Sequence, residues 1–235
     1  MSRAFSLLES LASASEPLRL IEVAQLAGLQ KSTAHRLLGT LVELGYVRQE
    51  ASGRYGATLR TWEFGARTVA QLPIKRIAAG FIHGLHRTIG ETVSLTLLSG
   101  LDVIYLDKLI APRPVQFRTS VGSRVPALFT ASGKAMLSRR PDGVELARQS
   151  AELHGLDIAA VSAELDEARS RGYAISSYSP GVLSIGVAVE AGSAAAEAGL
   201  SVSAPSEHLV GADRDAVIGA LLEAGARMSE ALAQP

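Results

Sequence analysis

The chain has 235 residues, with 23 basic and 23 acidic side chains and no net charge at neutral pH. That balance argues against a protein that wraps nucleic acid by bulk charge, while leaving room for a local basic face. It has no cysteine, which excludes disulfide and thiolate chemistry and fits the reducing cytoplasm expected as its location.

Read in chain order, the opening "MSRAFSLLESLASASEP" has neither an unbroken apolar run nor a clear cleavage site and reads as mature structure. No run of about 18 apolar residues exists, so no contact with a membrane is expected. "AFSLLESLA" places Ala4, Phe5, Leu7, Leu8 and Leu11 on one helical stripe. A second short helix runs from about Leu20 to Ala27, without the Ser or Thr N-cap that would favour it; that absence costs about 0.5–2 kcal/mol of local stability. Gly28 ends it in the left-handed turn that glycine tolerates. In "LQKSTAHRLLGTLVELGYV", Ala34, Leu37, Leu38, Leu41 and Leu44 form a buried stripe that Gly45 stops. "YVRQEASGRYGA" reads as a β-ribbon turning at "ASGR". Helix, helix, tight turn, helix and ribbon over residues 1–58 is the order of a winged helix-turn-helix.

The segment 59–90 is helical on both sides of Pro73, which predicts two helices or one kinked helix connecting two domains. From residue 91 the pattern changes. "TVSLTLLSGLDVIYLDKL" predicts two strands about a turn at Gly100–Asp102, and "VQFRT" a further short strand. "SGKAMLS", "DGVELARQSAEL" and "AAVSAELDEARSRG" read as helices, and "YAISS", "LSIGVAV" and "AGLSVSA" as strands. "EAGSAAAEAG" reads as a solvated loop, and a last helix spans about Asp213 to Ala233. Residues 91–235 are therefore expected to form an α+β domain with an antiparallel sheet.

The third helix turns Lys31, Ser32, Thr33, His35, Arg36, Gly39 and Thr40 away from its leucines, with no acid before Glu43. Such donors suit phosphates and the base acceptors of the major groove, and the free amides at a helix N-terminus favour a phosphate. Arg54, near the ribbon tip, is a further candidate contact to double-stranded DNA. Taken alone, the same face fits an ordinary solvated helix about equally well.

"GLQKSTAHRLLGTLVELGYV" resembles the recognition-helix segment of IclR-type transcriptional regulators, and "TASGKAMLS", "RGYA" and "LSVSAP" follow in that family's order. The resemblance covers nearly the whole chain. It implies a dimeric or tetrameric regulator with a winged helix-turn-helix, a dimerising helical linker and a C-terminal GAF-like effector-binding domain. Carried over by motif, the effector site falls on Ala131 and Ser132, on Ser176 and Ser184, and on Ser201 and Ser203. Leu128 and Leu183 would be apolar walls, and the ligand a small organic acid. Ser201 and Ser203 lie two apart and so share one face of a strand; without the resemblance they read as the polar outer face of a sheet. The chain departs from the family in having Ser176 where Asp and Ser184 where Cys are frequent, and in a shorter segment after "RGYA".

No cofactor or enzymatic chemistry is expected. "SGK" lacks the glycine and hydroxyl partners of a phosphate loop, no G-x-S-x-G elbow occurs, and the five histidines are scattered. The competing function is a winged helix that binds protein instead of DNA, beside a small-molecule sensor domain.

Overall fold

The computed structural model describes residues 1–112, 119–190 and 197–234, and divides into two compact units, Met1–Gln71 and Leu72–Pro235. In the first unit, α1 (Ser2–Ala12), α2 (Leu20–Leu26) and α3 (Lys31–Glu43) precede a hairpin of β1 (Val47–Gln49) and β2 (Tyr55–Ala57), followed by α4 (Leu59–Ala70). Leu7, Leu11, Val23, Ala24, Ala34, Leu38, Leu41, Val47 and Tyr55 pack into one core. Ala4, Phe5 and Leu44 lie outside that core. Phe5 is exposed because it sits two residues before Leu7, about 200° around the helix. Leu44 is exposed because ten residues of helical drift carry it about 80° off the stripe begun at Ala34.

In this unit two glycines end helices by the same backbone device. At α2, Gly28 takes φ 64°, its N–H donates to the Gln25 carbonyl and the Leu29 N–H to that of Ala24. At α3, Gly45 takes φ 76°, with Gly45 N–H to Val42 and Tyr46 N–H to Leu41. These paired bonds satisfy the last carbonyls and set the direction in which the chain leaves. The cap missing from α2 is replaced from inside the helix: the Glu22 carboxylate accepts from the Arg19 amide at 2.7 Å and from its guanidinium at 2.6 and 2.9 Å. This pairing holds the Glu22 carboxyl below its ordinary range.

The second unit begins with α5 (Pro73–Ile89), Pro73 standing in its first turn, where a missing amide leaves nothing unsatisfied. The predicted connector is thus two helices, one in each unit. A six-stranded antiparallel sheet follows, in the order β5 (Arg124–Pro126), β4 (Asp102–Leu109), β3 (Thr92–Ser99), β8 (Ala198–Pro205), β7 (Val182–Val189), β6 (Ala174–Ser176). α5 and α9 (Gly211–Ala233) pack on one face; α6 (Ala131–Arg139) packs on the other, backed by α7 (Gly143–His154) and α8 (Ile158–Arg171). The short strand β5 escaped the sequence reading. "VQFRT" falls almost wholly outside the described residues, as does most of "EAGSAAAEAG", whose last two residues open β8.

Glycine sets the closeness of α6 to the sheet. A Cβ on Gly186 would lie 2.4 Å from the Ser132 amide nitrogen, and one on Gly199 would lie 2.9 Å from the Ser132 Cβ. Thr96 on β3 donates its hydroxyl to the Ser132 hydroxyl at 2.9 Å. Among the described residues, no helix is long and apolar enough to cross a membrane.

Candidate DNA-binding and effector sites

On α3, Lys31, Ser32, His35, Arg36, Gly39 and Thr40 are exposed and Thr33 is half-buried, while Ala34, Leu38 and Leu41 face the core. Among the described residues, neither Lys31 nor Arg36 has an ion-pair partner. The N-cap Gln30 makes no side-chain bond to the first turn, so that the end of a 13-residue helix presents free amides beside Lys31 and Ser32. At the opposite end, Arg60 donates to the Leu44 carbonyl at 2.7 Å and lies 5.1 Å from the Tyr46 ring centroid, a cation on the negative pole of the helix. The recognition face is therefore electropositive and unoccupied by the domain's own acids.

Arg54 stands apart from this face. Its guanidinium donates to the Pro17 carbonyl at 3.0 Å and lies 3.8 Å from Glu22. The cause is a backbone bridge between Leu18 and Tyr55, which brings the α1–α2 connection alongside the ribbon and its carbonyl within reach. Arg54 ties the ribbon to the start of α2 instead of projecting from the tip.

In the second unit, residues opposite each other on an antiparallel ladder share a face, so the registers assemble three rows on the α6 side of the sheet. Ser176, Ser184, Ser203 and Thr92 form the first; Ala174, Gly186, Ser201, Ser94 and Lys108 the second; Ala188, Gly199, Thr96 and Tyr105 the third. The Ser184 and Ser203 hydroxyls are 2.8 Å apart, and Ser176 donates to the Phe129 carbonyl at 2.8 Å. The Phe129 ring stacks on Tyr178 at 4.2 Å. Ser94 and Ser201 are 2% and 6% exposed. The Lys108 ammonium donates to the Thr119 carbonyl at 2.7 Å and its hydroxyl at 2.8 Å, and lies 5.6 Å from the Tyr105 ring centroid. Burial lowers the Lys108 pKa to about 8 and raises that of Tyr105.

The fold thus gathers Ser176, Ser184, Ser201 and Ser203 onto one face, with the start of α6 at Ala131 against Gly186, the neighbour of Ser201. Three of the expected contacts are differently placed. Ser132 is 1% exposed and its hydroxyl is engaged by Thr96, so its side chain anchors α6 to the sheet. Leu128 belongs to the helical core with Val103, Met136 and Leu137, and Leu183 alternates onto the opposite face with Ile185 and Val187. Strand register adds Ser94 and Lys108 to the row of Ser201, and the sequence reading had singled out neither. The period-two run of hydroxyls Thr92, Ser94 and Thr96 in an otherwise apolar strand was the available signal for Ser94. His83 and His86 each turn Nδ1 to a backbone carbonyl, of Ala79 and of Glu91.

Two family models match: the IclR helix-turn-helix domain over residues 1–51, and the bacterial transcriptional regulator IclR C-terminal domain over residues 66–230. The chain belongs to the IclR family. It is 32% identical over 217 residues to the probable transcriptional regulator SauR of Cupriavidus necator, covering 88% of this chain and 86% of that one. It is 31% identical over 215 residues to the HTH-type transcriptional regulator KdgR of Escherichia coli, covering 87% and 81%. Among solved structures, the IclR regulator of Alicyclobacillus acidocaldarius superposes with a TM-score of 0.83 at 24% identity over 98% of this chain and 97% of that one. An IclR homologue from Microbacterium hydrocarbonoxydans, complexed with 4-hydroxybenzoate, gives 0.82 at 21% identity over 98% of each chain. Like its IclR relatives, this chain is a DNA-binding transcriptional regulator, with a helix-turn-helix joined to a GAF-like effector-binding domain.

Proposed function

We propose that α3 enters the major groove, with Lys31, Ser32 and Thr33 meeting phosphate at its N-terminus and His35, Arg36 and Thr40 facing base edges. The observation that carries this is the exposed, acid-free face of a helix whose first amides are uncapped. Residues 1–58 form the reading head and 59–90 the connector to a sensor domain over 91–235. A small organic acid occupies the hydroxyl-lined face bounded by Ala131, Ser176, Ser184, Ser201 and Ser203. The 4-hydroxybenzoate held by the Microbacterium homologue supports an acid of this class.

The chain acts as a self-associated pair or a pair of pairs. Support comes from α4, which has no buried residue and exposes Leu59, Trp62 and Phe64 by two thirds or more. Three large apolar side chains left in water on one short helix suit a matching helix of a second copy. Two such heads read paired half-sites, and the effector changes their spacing; reciprocity then requires the operator to change effector affinity by the same factor.

The test is selection of a binding site from a random duplex library, followed by anisotropy titrations over a range of salt. Arg36→Ala lowers the salt slope by about 1 if Arg36 meets a phosphate, and relaxes base preference at one position if it meets a base. An unchanged slope with unchanged preference points to a winged helix that binds protein instead.

A further inference from the structure

We propose that Lys31 is a site of acylation, taking its acyl group from a small acyl phosphate, and that the amide so formed switches off operator binding. The switch rests on the reading of α3 as the helix that meets phosphate; the acylation site does not. The chain has four lysines against 19 arginines, and all four lie among the described residues. A guanidinium stays protonated and is a poor nucleophile, and cysteine is absent, so the lysines are the side chains open to this chemistry.

Three of the four are committed within the fold. Lys75 pairs with Asp107 and donates to the Leu106 carbonyl at 3.4 Å. Lys134 lies 2.5 Å from Glu164, with 16% of its side chain exposed. Lys108 donates to the Thr119 carbonyl at 2.7 Å and its hydroxyl at 2.8 Å. Each must give up such contacts before its nitrogen can attack, and leaves an acceptor unpaired when it does. Lys31 is exposed at the first position of α3, and among the described residues it has neither a hydrogen bond nor an ion pair. Its amine meets a donor without breaking any contact.

The surroundings suit an anionic donor. The first amides of α3 are left uncapped by Gln30, the Ser32 hydroxyl is exposed beside them, and no acid precedes Glu43 on the helix. An acyl phosphate carries its negative charge on phosphorus-bound oxygens. The electropositive end that suits a DNA phosphate therefore also gathers this donor beside the Lys31 amine. In the step, the neutral Nζ attacks the acyl carbon and a C–N bond forms. The C–O bond to phosphate breaks, inorganic phosphate leaves with the bonding pair, and the proton lost from nitrogen passes to solvent. The product is an uncharged amide. One cation is thereby removed from the recognition face. Operator and donor compete for a single amine, so bound DNA shields Lys31 and acylated Lys31 weakens DNA binding.

The experiment incubates the full-length chain with acetyl phosphate, with and without a duplex selected from the random library, and maps every lysine by mass spectrometry. Lys31 is expected to be acetylated at least about fivefold faster than Lys75, Lys108 or Lys134, the others being held by their contacts. Saturating duplex is expected to slow Lys31 by about tenfold or more and to leave the other three unchanged. In anisotropy titrations, Lys31→Gln, which shares the neutrality of the amide, binds the duplex about tenfold more weakly, with a salt slope lower by about 1. Lys31→Arg keeps affinity and slope and takes no acetyl group at that position. An unchanged thermal midpoint shows that both variants are folded. Acetylation of Lys31 no faster than that of the other lysines overturns the proposal. Faster acetylation of Lys31 with unchanged affinity and slope in Lys31→Gln overturns the switch, and with it the placing of Lys31 against phosphate. A lower slope in Lys31→Gln without preferential acetylation overturns the acylation site alone and leaves the reading of α3 standing.

Discussion

Gly186 lies so close beneath Ser132 that a single added carbon on the glycine would sit 2.4 Å from the serine's amide nitrogen. Neither backbone can move alone, since Gly186 is paired on both sides, to Ala174 and to Ser201, and Ser132 is bonded to Thr96. Gly186→Ala is therefore expected to destabilise the chain by at least about 2 kcal/mol. Urea unfolding should show this, with loss of effector binding in the surviving folded fraction.

Gly39 is the contrasting case. It lies within α3 with nothing inside 4 Å of its added Cβ. Gly39→Ala should stabilise by about 0.5–1 kcal/mol. A fall in operator affinity in this more stable variant would place the α3 backbone against DNA.

Arg54 should behave as a structural residue. Removing its contacts to Pro17 and Glu22 at a partly exposed site is expected to cost about 1 kcal/mol in Arg54→Ala. The salt slope of operator binding should stay unchanged, unlike that of Arg36→Ala. A drop of about 1 in the slope for Arg54→Ala would show that the residue leaves Pro17 to meet a phosphate.

The Ser184–Ser203 hydroxyl pair offers a milder test. Ser184→Ala leaves Ser203 half-exposed and able to reach water, so it should cost no more than about 1 kcal/mol of stability. Any larger effect should appear in effector affinity.

Local chemistry is enough to place the helices and the longer strands of this chain. The periodicity of Ala34, Leu38 and Leu41, the turns at Gly28, Gly45 and Gly100, and the proline opening α5 each act within a few residues, and each stands where the sequence predicts. The family motifs were legible for the same reason. What a side chain meets across the fold was not. Arg54 turns inward because a bridge between Leu18 and Tyr55, 37 residues apart, brings the Pro17 carbonyl within reach; Ser132 is withdrawn because glycines on two strands let α6 sink onto the sheet. Lys108 joins Ser94 and Ser201 only through strand register, and the bulge between Leu95 and Thr96 sets which residues of β4 share that row. Register between distant strands depends on the packing of a whole core, so the row was decided by tertiary structure alone.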